Sequence, residues 1–300
     1  MEPQLKNFGL ALKCTRDLLS LSPELRARGS IETESEQIVL AAYRSKTGKK
    51  LSRVELYSSL QEPLPGECSK EVFHLSVARV EGNPLQHLIG YQTFLDHEFS
   101  VSPHVLVPRP ETEVLVTEAI RILEKIQPKV GIEIGTGSGI ISIELLSRFS
   151  DLQMLASDIS EDALEIARKN ADKILGEGHG LHFFETEDPK SVFEVFGHLS
   201  YVDFIVSNPP YLSLRDEIDA EVFRHEPRGA LFAPEEDLLY FYKEIEKNSG
   251  KYLNLDGFVF LEIPHERAQK ISSLFSSSKW KMSLVQDLTG RDRVLIAQRK

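Results

Sequence analysis

Cysteine is nearly absent from this chain. Cys14 and Cys68 are the only two in 300 residues, too few and too far apart for a disulfide framework or a metal site. Nine histidines are scattered, with no close pair that has a third ligand beside it. His179 and His182 share a polar loop, where a solvent-facing role is expected. There is no apolar run near the length of a membrane span, and no signal-peptide pattern opens the chain. A soluble, cytoplasmic protein with no membrane partner is the expectation. Positive charge is also short: 35 lysines and arginines stand against 46 acidic residues, for a net charge of −11. That sign excludes a broad nucleic-acid-binding surface, whose affinity would come largely from phosphate neutralisation. Internal repeats and low-complexity tracts are missing as well.

What is present is a core. With 41% apolar residues, the chain can fill one large domain or two unequal ones. Residues 1–83 read as helical and near neutral in charge. Phe8, Leu12, Thr15 and Leu19 recur at helical spacing, as do Ile38, Ala41 and Ala42 after a capping box Thr33-x-x-Glu36. Ser52-x-x-Glu55 and Ser69 are placed to start two further short helices, and Gly82-Asn83-Pro84 to stop the last. No side chain in this segment looks catalytic; it serves either as a stability cap or as a docking module for the substrate. Residues 84–108 form a linker. Leu88–Phe94 and Glu98–Val101 read as extended around Leu95-Asp96-His97, a β-hairpin. Val107-Pro108-Arg109-Pro110-Glu111-Thr112 then fixes the first turn of a helix, and taken alone it is a rigid connection.

From residue 109 to 300 helices and strands alternate, which argues for a parallel α/β sheet. The spacing predicts helices over 111–125, 140–148, 161–173, 238–249 and 265–276. Strands are predicted at 130–134, 154–157, 181–184, 202–207, 258–263, 280–286 and 292–298. Gly135-Thr136-Gly137-Ser138-Gly139 is a turn that lets a ligand approach the backbone at a helix N-terminus. Its G-x-G-x-G spacing leans away from a dinucleotide pyrophosphate site. Asp158 follows about twenty residues later, at the end of the next strand, where a carboxylate accepts from both ribose hydroxyls of an adenosine group or caps the following helix. The acidic run Glu185-Thr186-Glu187-Asp188 either reaches an adenine edge or is a solvated loop. Residues 212–237 lack clear periodicity, as a substrate wall beside an active site often does.

The organising stretch is Val202–Tyr211. A β-branched, apolar strand ends abruptly in Asn208-Pro209-Pro210-Tyr211, because two prolines cannot continue a central parallel strand. The turn is thereby delivered to the carboxyl edge of the sheet, where open α/β folds bind ligands. The Asn208 side-chain oxygen and the Pro209 carbonyl can both accept hydrogen bonds, and Pro210 keeps Pro209 extended. Two such acceptors pin a planar NH2 group, and Tyr211 can stack on the flat group that carries it. Asn-Pro-Pro-Tyr resembles the signature of methyltransferases that modify planar amino or amide nitrogens.

The order of Pro84–Gly90, Val107–Glu113, Gly135–Gly139, Asn208–Tyr211 and Arg224-His225-Glu226-Pro227 resembles the HemK/PrmC enzymes, from about residue 70 to the C-terminus. The resemblance implies a Rossmann-like, seven-stranded class I methyltransferase domain, with an antiparallel strand among the last, after a small helical domain and a hairpin. It implies S-adenosylmethionine as cofactor, on Glu133, Gly135, Thr136, Gly137, Ser138, Gly139, Asp158, Glu187 or Asp188, and Asn208. Substrate would be gripped by Asn208, Pro209, Pro210 and Tyr211, with Asn208, Pro209 and Tyr211 carrying the catalysis. That substrate is the glutamine of the Gly-Gly-Gln motif in class I peptide chain release factors. A monomer that binds no specific nucleic-acid sequence is implied too. Glu133 departs from the family's usual aspartate, Glu185–Asp188 lacks the usual acid-plus-aromatic pair, and Pro264 replaces a common glycine. Two rivals share part of the pattern: a ribosomal-protein glutamine methyltransferase and a nucleic-acid amino-methyltransferase. The acidic balance and the lack of a basic target-recognition domain stand against the second.

Overall fold

A computed structural model describes residues 4–187 and 201–300. These fall into two compact units, one running to Tyr91 and including Asp219–His225, the other comprising Gln92–Ile218 and Glu226–Lys300.

The first unit is helical. Its helices are Phe8–Leu19, Pro23–Arg28, Ile31–Thr47, Arg53–Ser58, Gly66–Val80, Leu85–Ile89 and Ala220–His225. Phe8, Leu12, Thr15 and Leu19 form the buried stripe of the first. Asn7 caps that helix by accepting from the Leu10 N–H at 2.8 Å. The capping box at Ser52 and Glu55 is formed reciprocally, through 3.2 Å and 2.7 Å bonds. Three expectations need correction. Thr33 lies inside helix Ile31–Thr47 rather than capping it, because Glu36 is engaged elsewhere, by Arg53 at 2.7 Å and the Tyr57 hydroxyl at 2.6 Å. Ser69 is likewise inside a helix that starts at Gly66; its hydroxyl accepts from the Leu5 N–H. Leu88 and Ile89 are helical, closed by Gly90 at φ 82°.

Residues 219–225 were expected in an irregular wall and instead belong to this helical unit. The reason is charge. Arg79, only 2% exposed, bonds Glu34 at 2.5 Å and Glu221 at 2.8 Å, and Arg28 bonds both Glu221 and Asp219 at 2.6 Å. A buried guanidinium is tolerated only when paired, and this segment supplies half of the pairing.

A hairpin of β1 (Tyr91–Phe94) and β2 (His97–Ser100) turns through Leu95 at φ 46°; all of it but Tyr91 belongs to the second unit. The main sheet contains β3 (Val130–Ile134), β4 (Gln153–Asp158), β5 (Leu181–Glu185), β6 (Val202–Ser207), β7 (Leu253–Glu262), β8 (Trp280–Gln286) and β9 (Asp292–Arg299). Their order is β5-β4-β3-β6-β7-β9-β8, parallel except that β9 runs antiparallel to both its neighbours. The seven-stranded, mostly parallel sheet with an antiparallel strand among the last is therefore observed as expected. Phe204, Val206 and Phe260 join one core cluster while Ile205, Val259 and Leu261 join another, the period-2 alternation of strands buried on both faces.

Strand β7 starts at Leu253 instead of 258. Its register with β6 jumps from Val202↔Leu253 to Phe204↔Phe258, so the residues between are accommodated as an irregularity, with Asp256 at φ 64°. The helix expected over 265–276 is broken into a 3-10 turn, His265–Arg267, and a short helix, Ala268–Ser272. From β3 the chain builds outward through β4 and β5, then returns to place β6 on the other side of β3. Such a reversal opens a crevice at the carboxyl ends of β3 and β6, where doubly wound sheets bind ligands.

Candidate active site

Both conspicuous turns of the sequence end at that crevice. After β3, Gly135, Gly137 and Gly139 take φ values of 72°, 55° and 85°. A side chain at Gly139 would also meet Ile143 at 3.0 Å and Ala167 at 3.2 Å, so glycine is needed for helix Ile140–Arg148 to start there. Asp158, at the end of β4, accepts from the Gly137 N–H at 2.8 Å and the Ser160 N–H at 3.0 Å. The helix Glu161–Leu175 is capped by the Ser160 hydroxyl, which accepts from Ala163 N–H at 3.2 Å. Asp158 is thus not the cap; it braces the glycine loop and keeps lone pairs for a ligand. Burial holds its carboxyl above the ordinary range, against the pull of those N–H groups.

Glu133 is fully buried near the end of β3. Its Oε2 accepts from the Thr136 hydroxyl at 2.8 Å, the Ser142 N–H at 3.1 Å and, closely, the Ser142 hydroxyl. Oε1 has no hydrogen-bond partner among the described residues. Burial pushes the pKa up to about 7, although the Ser142 and Thr136 bonds oppose it.

Asn208 follows β6. Its Nδ2 donates to Thr112 Oγ1 at 3.3 Å, and that hydroxyl donates to Glu262 Oε2 at 2.7 Å. Thr112 comes from the Pro-Arg-Pro-Glu-Thr stretch and Glu262 from the end of β7. Three residues earlier in that stretch, Arg109 pairs with Glu226 at 2.5 Å, and Glu226 also accepts from the Val107 N–H at 3.3 Å. Two motifs more than a hundred residues apart in sequence are so joined.

A cavity of about 380 Å³ lies among these groups. Of the expected site residues, Glu133, Gly135, Thr136, Gly137, Ser138, Asp158, Glu187, Asn208, Pro209 and Pro210 line it. Gly139 does not, since its close packing on Ile143 and Ala167 turns it inward. Tyr211 does not line the cavity either. It packs on the apolar cluster around Tyr242, and its carbonyl accepts from Arg267 at 3.0 Å, so the stacking expected of it is no part of this wall. Burial, with the nearby Glu262 carboxyl, raises the Tyr211 phenol further above its usual range. Asp188 lies outside the described residues. Thr112 and Glu262 escaped the sequence reading. The available signal was that Glu262, like Glu133, puts a carboxylate within one residue of the carboxyl end of an apolar strand.

The methyltransferase small domain family matches residues 112–225. A release factor glutamine methyltransferase from Fusobacterium nucleatum is 33% identical over 83% of this chain and 70% of its own length. One from Bacteroides thetaiotaomicron is 36% identical over 77% of this chain and 82% of its own length. The chain belongs to the release factor glutamine methyltransferase family. Among solved structures, a release-factor-specific protein-(glutamine-N5) methyltransferase from Alicyclobacillus acidocaldarius is 28% identical, with TM-score 0.40, over 67% of this chain and 99% of that one. Membership of this family, on this sheet, implies S-adenosylmethionine as methyl donor. Among the described residues no helix is long and apolar enough to cross a membrane, and no cluster of histidine, cysteine and acidic side chains could hold a metal ion.

Proposed function

We propose that this chain methylates the side-chain amide nitrogen of the glutamine in the Gly-Gly-Gln motif of class I peptide chain release factors, using S-adenosylmethionine. The observation that carries this reading is that Asn208 and Pro209 line the same cavity as the glycine loop and Asp158. The chain's own groups suit the cofactor. Glu133 Oε1 is a buried, unpartnered carboxylate oxygen of the kind that receives an ammonium group, and Asp158 retains acceptor capacity for ribose hydroxyls. Glu133, the loop Gly135–Ser138, Asp158 and Glu187 would hold the cofactor, whose sulfonium supplies an activated methyl group.

A carboxamide nitrogen is a poor nucleophile because its lone pair is delocalised into the carbonyl. The protein's work is therefore alignment and electrostatic support. Asn208 Oδ1 and the Pro209 carbonyl accept the two amide hydrogens, turn the nitrogen toward the methyl group, and favour the positive charge that grows on it. Apolar wall residues such as Ile134, Ile140 and Ile141 keep water out. In this reading the helical unit docks the release factor, and its exposed Leu21 and Val54 are suitable apolar contacts. The test is mass spectrometry of a release factor incubated with enzyme and S-adenosylmethionine. One methyl gained on the Gly-Gly-Gln glutamine is expected. Methylation of DNA or of a ribosomal protein, with the release factor untouched, would overturn the reading.

A further inference from the structure

We infer that Thr112 and Glu262 are positioning residues that fix which end of the Asn208 amide faces the cavity. The inference rests on the proposed amide-nitrogen chemistry, but its geometry stands within the protein. An asparagine amide has nearly the same shape either way round, so packing alone does not choose between oxygen and NH2. Hydrogen-bond direction does. An ionised Glu262 can only accept, so it takes the Thr112 hydroxyl hydrogen at 2.7 Å. The Thr112 oxygen is then free only to accept, and Asn208 must present its NH2 to it, as it does at 3.3 Å. Oδ1 is left for the cavity, where a substrate NH2 needs an acceptor.

Protonation of Glu262 reverses the chain. With the proton on Oε2 the acid donates to Thr112, the threonine hydrogen turns to Asn208, and Asn208 then offers its oxygen there. Its NH2 then faces the substrate NH2, donor against donor. Glu262 is set for this change at neutral pH, since burial pushes its pKa up to about 7 while the Thr112 bond opposes the shift. The charged and titratable groups around it are Glu111, Arg293, Arg109 and Tyr211, and the Tyr242 hydroxyl bonds its backbone carbonyl at 3.0 Å. None of these groups replaces Thr112 as the link to Asn208, so the relay runs through one hydroxyl.

The decisive kinetic experiment is a double-mutant cycle with the full chain and a release factor. Asn208→Ala alone is expected to lower kcat by roughly 10²–10³. Thr112→Val, which keeps shape and removes the hydroxyl, is expected to lower it about tenfold, with Thr112→Ser restoring it. In the Asn208→Ala background Thr112→Val should cost nothing further, because it acts only through Asn208. A substrate-free readout accompanies it: NMR of the Asn208 side-chain NH2 in asparagine-labelled protein. Those signals should titrate with a midpoint near 7 and stop titrating in Glu262→Gln. Losses that multiply in the cycle overturn the inference, as does a flat wild-type titration or one that persists in Glu262→Gln. If the wild type methylates no release factor, the proposed function falls, while the NMR titration still decides the orientation.

Discussion

Glu34 and Glu133 are both buried glutamates, and the two units of the molecule treat them in opposite ways. In the helical unit Glu34 meets the Arg79 guanidinium at 2.5 Å and accepts from the Ser30 hydroxyl at 2.7 Å. Glu221 completes the pairing of the same arginine. In the sheet unit Glu133 meets only hydroxyls and an N–H, and one of its oxygens meets nothing among the described residues. Glu262 is similar, buried and held by a threonine. A paired charge has its valence satisfied inside the chain, so it organises structure. A carboxyl held by neutral donors keeps capacity for a ligand or a proton. The difference separates scaffold from site without reference to any relative.

The largest effect should follow from breaking the paired side. Arg79→Met removes the cation shared by Glu34 and Glu221; Glu221 keeps Arg28, but the buried Glu34 carboxylate is left without a cation, which typically costs about 3–5 kcal/mol. Urea denaturation monitored through the helical unit measures this. A loss within experimental error would mean that the network is ornamental, and the contrast with the sheet unit would dissolve.

On the unpaired side the expected effect is a slope. The Glu133 pKa is raised from an ordinary 4.5 to about 7, so between those values the folded state holds a proton that the unfolded chain has released. Stability from this group is full below 4.5 and is lost as pH rises through 7. Glu133→Gln has no such proton to lose. Relative to wild type it should gain roughly 3 kcal/mol between pH 5 and 8, an order-of-magnitude figure from the size of the shift. Parallel stability curves for the two proteins would show that Glu133 is not strained by burial. S-adenosylmethionine affinity should fall in the same variant, which would sharpen the assignment of the unpartnered oxygen.

The sheet was legible because its strands are short apolar runs between strong breakers. The glycine turn and Asn-Pro-Pro-Tyr were legible because each carries its chemistry in consecutive residues. What stayed hidden depends on juxtaposition. Thr112 and Glu262 are 150 residues apart, and nothing local says that a threonine in a proline-rich stretch will orient Asn208. The helix Ala220–His225 has no buried side chain of its own, so no periodic pattern announces it; two arginines from the far end of the chain hold its acidic flank. At β7 an irregular register conceals where the strand begins. Tyr211 shows the limit of motif reading: its neighbours line the cavity while its own ring is claimed by the core.

The smallest prediction tests the same lesson inside the helical unit, where two identical patterns had different fates. Thr33-x-x-Glu36 and Ser52-x-x-Glu55 both read as capping boxes. Only the second forms, with the Ser52 hydroxyl accepting from Glu55 N–H and the Glu55 carboxylate accepting from Ser52 N–H. The Ser52 N–H and the Ser52 hydroxyl both donate to the Glu55 carboxylate and hold its pKa below its ordinary value, the backbone bond contributing most. Ser52→Ala should therefore cost about 1 kcal/mol, the usual loss when an N-cap acceptor is removed. Thr33 is exposed within the first turn of its helix, and its would-be partner Glu36 is bound by Arg53 and Tyr57. Thr33→Ala should be neutral or slightly stabilising, because alanine is the better helix former and no cap is lost. Equal losses at the two positions would mean that Thr33 caps the helix after all, and that the start at Ile31 is misplaced.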